Sequence, residues 1–193
     1  MKKTMGAVAF QVFLAIMLVS VCSARDWYVR PAGSGYGSGD GTSYANAWSG
    51  FSRIVWGANG VTAGDVLYVC GTHGEKLTVG ASGASGAKIA IRGNYSGDPG
   101  VINPNYGANH CIDISNRRYV AVEGLILRRS SASGINAQNS YKADIRNCQF
   151  RSISSGGTSF GIDGRYASAM FIYGNSMNSS EGSFNASGIV VNL

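Results

Sequence analysis

The sequence has few prolines and few charged side chains, and each scarcity excludes a class of protein. Among 193 residues there are three Pro and 13% charged residues, which excludes a proline-rich linker and a highly charged disordered chain. The sequence has no Gly-X-Y period, which excludes a collagen. The phosphate-binding loop, the dinucleotide fingerprint and the Gly-X-Ser-X-Gly nucleophile turn are also missing, so those enzyme classes find no support. We expect no nucleic-acid partner.

Cysteine is too scarce to build a disulfide framework. Beyond the N-terminal apolar segment the chain has only Cys70, Cys111 and Cys148. Three cysteines form at most one bridge within the chain, and none has the spacing of a zinc site. We therefore expect buried side chains that pack as small hydrophobic residues.

The chain has one long hydrophobic run, at its N-terminus. Lys2 and Lys3 precede an apolar stretch that reaches Val21 and is followed by small residues. This pattern is typical of a secretory signal peptide, predicted over 1–24, and predicts a secreted, cell-surface or periplasmic protein. A lipoprotein site at Cys22 is less favoured, because a bulky valine precedes it. No later run is long enough to span a bilayer, and removal of the signal lowers the formal net charge from +6 to +4.

Glycine, in contrast, is abundant and belongs to an internal repeat. The chain has 28 Gly, about twice the usual share of roughly 7%. Triplets that begin at positions 111, 134, 161 and 188 align at steps of 23, 27 and 27 residues, and the same steps align the apolar segments 122–127, 145–150 and 172–177 without gaps. Short pieces in which apolar and polar residues alternate predict strands rather than helices.

A repeat of this length cannot bury its apolar face alone, so it predicts the stacked coils of a parallel β-solenoid. Gly124, Asn147 and Gly174 occupy equivalent places and predict a recurrent sharp bend. An antiparallel sandwich is the alternative, but the single Asn-Gly dipeptide, Asn59-Gly60, precedes the repeats. Three inward stacks are predicted: Ile112, Ile135, Ile162 and Ile189; Val122, Ile145 and Ile172; and Leu127, Phe150 and Met177.

The segment before the repeats predicts a cap over the open end of the solenoid. Apolar residues at Trp48, Phe51, Ile54 and Val55 follow polar Thr42 and Ser43 with the spacing of a short helix. We assign residues 25–60 to this cap and residues 61–193 to the coils. A fresh coil begins at position 188, so we expect the coils to be incomplete at the C-terminal end.

These features resemble the N-terminal part of right-handed parallel β-helix proteins, the architecture of pectate-lyase-like polysaccharide lyases and of many exported surface proteins. Segments 27–29, 39–48 and 63–69 carry the resemblance beside the repeats. It implies an all-β fold, a right-handed parallel β-helix with a short N-terminal capping helix. It specifies chemistry poorly, because this architecture serves many activities.

The resemblance also implies that substrate lies along the sheet that follows the variable corner of each coil. On that sheet Asp113, Asn136 and Asp163 are expected to form an outward row that binds substrate, with Asp163 as a Ca²⁺ ligand. Arg165 and Arg151 are the candidate catalytic bases, which would remove the C5 proton of a uronate before β-elimination. The alternative is structural: Asp and Asn hydrogen-bond along the stack and keep the face hydrated.

Basic residues flank this predicted groove. Arg128, Arg129 and Arg151 lie on one side, and Arg117, Arg118 and Lys142 lie on the other. Two cationic edges suit an acidic polysaccharide, although solvated turns would show the same charges. The sequence thus predicts an exported module that engages polysaccharide, a lyase if it is an enzyme. The alternative is a non-catalytic, adhesin-like surface protein.

Overall fold

The described part of the chain is built almost entirely from short parallel strands. The computed structural model describes residues 23–153, 159–178 and 186–190. Its 17 strands form three sheets in which all paired strands run parallel. The predicted parallel β-solenoid is therefore confirmed. Most of the predicted signal peptide, residues 1–22, lies outside the described residues, and the domain boundaries stay predictions.

The three sheets run side by side along the solenoid. Sheet 1 contains β1 (Asp26–Arg30), β2 (Trp48–Ser49), β3 (Val66–Val69), β6 (Ile89–Arg92), β9 (Val120–Glu123), β12 (Asp144–Arg146) and β15 (Phe171–Tyr173). Sheet 2 contains β4 (Thr72–His73), β7 (Val101–Ile102), β10 (Ile126–Arg128), β13 (Gln149–Arg151) and β16 (Ser176–Asn178). Sheet 3 contains β5 (Leu77–Thr78), β8 (His110–Asp113), β11 (Ser133–Asn136), β14 (Ser159–Asp163) and β17 (Ala186–Val190).

From β3 onward the chain passes through sheets 1, 2 and 3 in that order five times. We call each pass a rung: rung 1 is β3–β5, rung 2 is β6–β8, rung 3 is β9–β11, rung 4 is β12–β14 and rung 5 is β15–β17. Neighbouring rungs pair strand on strand, at the usual separation of about 4.8 Å. Side chains at equivalent positions therefore form rows along the solenoid axis.

The strand registers confirm the three predicted stacks. Ile135 pairs with Ile112 and with Ile162, and Ile162 pairs with Ile189. The stack on Val122 in sheet 1 and the stack on Leu127 in sheet 2 have the predicted members. Side chains of rungs 3 and 4 in these stacks have no exposed surface, which confirms their inward position, whereas in rung 5 Ile172 and Met177 are half-buried and Ile189 is 45% exposed. Like residues lie over like, which is how a chain of short rungs obtains a continuous core.

The corners of the coil are built from residues with left-handed backbone. Gly124, Asn147 and Gly174 have φ angles of 67°, 54° and 65°, which confirms the recurrent bend. A second corner, between sheets 3 and 1, repeats a positive φ at positions 116, 139 and 166 and again at 119, 142 and 169. Several of these residues carry side chains that rarely adopt this conformation, so stacking against the neighbouring rungs holds them there.

The N-terminal cap differs from the predicted helix. Only Phe51–Arg53 is helical, as one 3-10 turn, and Trp48 lies instead in β2. Gly50, at φ 84°, directs the chain from strand to turn without a side-chain cap. The apolar residues that predicted a helix are buried by ring stacking instead: Trp48 stacks on Trp27, with 5.1 Å between ring centroids, and Phe51 stacks on His73. The end of the solenoid is covered, but by a strand and a turn.

The three cysteines of the described residues are unpaired and buried, as expected. Cys70, Cys111 and Cys148 have no exposed surface and form no disulfide. Burial raises the pKa of the Cys70 and Cys111 thiols to about 12 and that of Cys148 to about 11. The side chains act as small apolar residues of the core, because a thiol with such a pKa is a poor nucleophile and metal ligand.

Candidate functional site

The outer face of sheet 3 carries the predicted polar row. Asn136 lies in register between Asp113 on rung 2 and Asp163 on rung 4. Its side-chain amide Nδ2 donates a hydrogen bond to Asp113 Oδ1 at 3.3 Å. The row is therefore confirmed as a row, but Asn136 is only 9% exposed and Asp163 only 3%. These two side chains are therefore buried beneath their neighbours and have little surface available to a ligand.

All three residues of the row also shape the backbone that follows them. The side-chain oxygen of each accepts a hydrogen bond from the backbone N–H two residues later, at Ser115, Gln138 and Arg165, over 3.0–3.3 Å. This Asx turn, characteristic of Asp and Asn, starts the corner between sheets 3 and 1. The structural reason for Asp and Asn at these positions is thus present in each of the three rungs.

Asp163 is held by two side chains of the same face. Arg165 donates from Nε to Asp163 Oδ1 at 2.9 Å and from Nη2 to Oδ2 at 2.8 Å, and Gln138 Nε2 donates to Oδ2 at 2.7 Å. Burial opposes ionisation of Asp163, but these hydrogen bonds outweigh it and lower the pKa of the carboxyl. The same bonds and the carboxylate charge raise the pKa of Arg165. The two-pronged contact fixes the orientation of the guanidinium.

A histidine that the sequence did not single out lies on this sheet. His110 Nδ1 is 2.7 Å from Ser133 Oγ, its partner in register. Burial lowers the pKa of His110, Asp113 opposes that shift and Lys76 adds to it. The Lys76 ammonium is also 3.8 Å from Asp113 Oδ2. The 23-residue repeat step places His110 and Ser133 at equivalent positions of adjacent rungs. The contact was not predicted because the two residues are of different types.

An aromatic ring completes this face. Phe160 pairs in register with Ser133, and the Arg165 guanidinium carbon lies 5.7 Å from the centroid of the Phe160 ring. The side chain of Arg165 remains 42% exposed. The outer face of sheet 3 therefore combines an oriented guanidinium, an ammonium at Lys76, an aromatic ring and a neutral histidine.

The predicted basic edge at the end of sheet 2 is present in part. Arg128 pairs in register with Arg151, and Arg129 follows β10 with a φ of 51°. Arg151 Nη2 donates to Gln149 Oε1 at 2.7 Å. These side chains lie beside the variable corner that leads to sheet 3, and residues 154–158 of that corner lie outside the described part. Their roles in binding or catalysis stay predictions.

The opposite basic edge lies at the corner between sheets 3 and 1. The ammonium of Lys142 lies 5.7 Å from the Tyr119 ring centroid and 5.4 Å from that of Tyr141. The Arg118 guanidinium lies 6.0 Å from the Tyr141 ring centroid. The aromatic content of this edge was not predicted.

The carboxylates of the face do not fit a calcium ion. Both oxygens of Asp163 accept hydrogen bonds from Arg165 or Gln138, and Asp113 Oδ1 accepts from Ser115 and Asn136. Two rungs separate the carboxylates, about 10 Å by strand spacing, whereas calcium requires several oxygens at about 2.4 Å. The described residues also contain no group of three or more His, Cys, Asp or Glu arranged around a common centre. The expected Ca²⁺ ligation by Asp163 therefore rests on the sequence resemblance alone.

The fold and the polar side chains on sheet 3 define a parallel β-solenoid protein with a polar outer face. No protein-family model matches the sequence, and no curated protein matches it. Among solved structures, the GH136 lacto-N-biosidase of Eubacterium ramulus is similar over 81% of this chain, with a TM-score of 0.62 and 11% identity. The match covers 35% of that enzyme's chain. At this identity the likeness shows the fold alone.

No helix within the described ranges has the length and apolar character to cross a membrane.

Proposed function

We propose that this β-solenoid binds a carboxylate-bearing polysaccharide along the outer face of sheet 3. The observation that carries the proposal is Arg165, a half-exposed guanidinium held in place by Asp163 and lying against the Phe160 ring. An arginine fixed in this way retains N–H groups for an incoming carboxylate and loses little side-chain freedom on binding. A neighbouring ring suits the apolar face of a sugar.

The direction of the face supports a polymer as the ligand. Rows along the solenoid axis repeat at about 4.8 Å, so Lys76 on rung 1 and Arg165 just after rung 4 lie on one elongated surface. An extended chain can contact several rungs at once, which multiplies weak contacts. The structural neighbour is named as a lacto-N-biosidase of GH136, a glycoside hydrolase, and this supports a carbohydrate ligand without indicating the sugar.

Binding is tested by calorimetry of the purified protein with polygalacturonate, alginate and chondroitin, beside neutral dextran. We expect at least one acidic polymer to bind, dextran to bind more weakly, and the affinity to fall as salt rises. Arg165→Gln should lower the affinity at least tenfold. Arg53→Gln removes an exposed arginine at the N-terminal end and should leave it unchanged. Equal affinities for both variants, or no acidic polymer bound, would contradict the proposal.

Eliminative cleavage of the bound uronate is the second candidate function, and His110 favours it. Burial keeps its imidazole neutral near pH 7, so it can accept a proton. In the reaction a base takes the C5 proton, a double bond forms between C4 and C5 as the C4–O bond breaks, and the oxygen leaves with the departing chain and takes up a proton from water. Arg165 is a weaker candidate base, because its ion pair with Asp163 raises its pKa.

The cleavage hypothesis predicts release of unsaturated uronates, measured by their ultraviolet absorbance with the same three acidic polymers. Asp163→Ala and Arg165→Ala should lower the rate by weakening substrate binding, whereas His110→Gln should lower kcat at least a hundredfold with a smaller change in KM. Arg151→Gln tests the remaining sequence-predicted base. Binding without any product would instead favour a non-catalytic surface protein.

A further inference from the structure

The corner between sheets 3 and 1 forms a basic, aromatic column. Three stacked turns, 114–119, 137–142 and 164–169, contain no Asp or Glu. They carry four cationic side chains and three tyrosines: Arg117, Arg118, Lys142, Arg165, Tyr119, Tyr141 and Tyr166. Parallel bridges from Arg118 to Tyr141 and from Tyr141 to Ser168 keep the turns in register. The column is thus a fixed part of the solenoid, and the charged residues of its three turns are all cationic, one of them (Arg165) paired with Asp163 of the adjoining strand.

A polar pocket of about 360 Å³ opens in this column. Its volume is within the range of small-molecule sites, roughly 300–1,000 Å³. Its lining residues are Arg118, Asn139, Ser140, Tyr141, Tyr166 and Ser168. Tyr166 is 73% exposed, an unusual degree for a large ring. No carboxylate is among these residues, and no salt bridge of the described part involves Arg118.

One lining residue provides an independent sign of a missing partner. Ser140 is 1% exposed, and its hydroxyl has no hydrogen-bond partner among the described residues. A buried hydroxyl left unpaired costs about 1–3 kcal/mol, so such groups are rare unless something satisfies them. The serine belongs to a pocket that also contains the exposed Tyr166 ring and the Arg118 guanidinium, which contacts the Tyr141 ring and forms no salt bridge among the described residues.

We infer that this pocket binds one uronate unit of the polysaccharide. The Arg118 guanidinium binds the sugar carboxylate, the Tyr166 ring packs against the sugar face, and Ser140 and Asn139 hydrogen-bond the sugar hydroxyls. Lys142, over the rings of Tyr119 and Tyr141, adds positive potential at the entrance. The inference rests on the proposed glycan binding and assigns the substrate class, a hexuronate, to a second surface beside sheet 3.

The test uses trimers of galacturonate, guluronate and glucuronate, each beside its fully methyl-esterified counterpart, with affinities from calorimetry. We expect one acidic trimer to bind at least tenfold more tightly than its ester. Arg118→Gln should bring that ratio close to one, because the ester lacks the charge that Arg118 recognises. Tyr166→Ala should weaken both ligands, whereas Tyr106→Ala and Arg53→Gln, on other exposed segments, should weaken neither.

A structural role for Ser140 is separated from binding by a thermal melt. Ser140→Ala should leave the melting temperature unchanged or raised, because it removes an unpaired buried hydroxyl, and should weaken the trimer several-fold. An unchanged acid-to-ester ratio in Arg118→Gln, or trimer binding untouched by Tyr166→Ala and Ser140→Ala, overturns the pocket. Polymer binding that persists and depends on Arg165 then leaves the proposed function standing, whereas loss of both refutes both.

Discussion

At the scale of single residues, the polar face of sheet 3 contains a buried carboxylate, Asp163, that orients an exposed guanidinium, Arg165. Asp163 accepts hydrogen bonds from Arg165 and Gln138 and is almost fully buried. Its replacement would therefore release the guanidinium and loosen the Asx turn at the same time. Arg165, which the carboxylate orients, is the side chain that meets solvent. A substitution at Arg165 therefore tests the proposed polysaccharide binding more directly than a substitution at Asp163.

His73 makes the fold sensitive to acid. Its ring is buried against Phe51, 4.1 Å between centroids, and Nε2 contacts the Cys70 carbonyl oxygen at 3.1 Å. Burial lowers the pKa of His73 from 6.5 to about 4. The unfolded chain binds this proton below about pH 6.5 and the folded protein only below about pH 4, so stability falls between those values as pH decreases.

We expect His73 to account for about 2–3 kcal/mol of the loss in unfolding free energy between pH 7.5 and 4.5. His73→Gln retains a donor for the Cys70 carbonyl but does not titrate, so its loss over that interval should be smaller by that amount. Urea unfolding at both pH values provides the measurement. Parallel losses in the two proteins would show that His73 does not cause the sensitivity.

At the scale of strands and corners, small residues mark where rungs come closest. Gly134 in β11 faces the Phe150 ring, and a Cβ at Gly134 would contact Phe150 Cδ1 and approach the Gly161 carbonyl oxygen to 2.8 Å. Phe150 has no exposed surface. The ring occupies the volume that a side chain at position 134 would need, so glycine there permits the large residue in the core.

Gly134→Ala should therefore lower the unfolding free energy by roughly 1–3 kcal/mol, the usual cost of overpacking a core. Gly35→Ala is the matched control, because no atom lies within 4 Å of a Cβ placed there. Urea denaturation of the two variants gives the comparison. Equal stabilities would mean that the Phe150 ring moves aside without cost.

At the scale of the whole molecule, the repeat spacing predicted most of the fold. Gapless steps of 23 and 27 residues predicted the registers at Ile135, Ile162 and Ile189 because each rung must superpose its strands on those of its neighbours. The cap covers the end of the solenoid as predicted, but its helix is a single 3-10 turn, because a strand followed by a turn already buries Trp48 and Phe51.

The site was less predictable because its groups act across rungs. Alternation along a strand indicates that Asn136 and Asp163 face outward, but it does not reveal that neighbouring side chains cover them. The contact between His110 and Ser133 joins unlike residues 23 positions apart, which no local pattern records. Positions in a repeat are predictable from spacing, whereas burial and partners depend on the side chains of adjacent rungs.

The four-residue difference between successive repeats is confined to one corner of the coil. Arg128 and Arg151 pair in sheet 2, and Ser133 and Phe160 pair in sheet 3, so the extra length of the later repeat lies entirely between these two registers. The corner beside the proposed glycan face can therefore lengthen or shorten without shifting the stacked interior. A different loop length at this corner would change which side chains border the proposed glycan face, while the paired strands keep their registers.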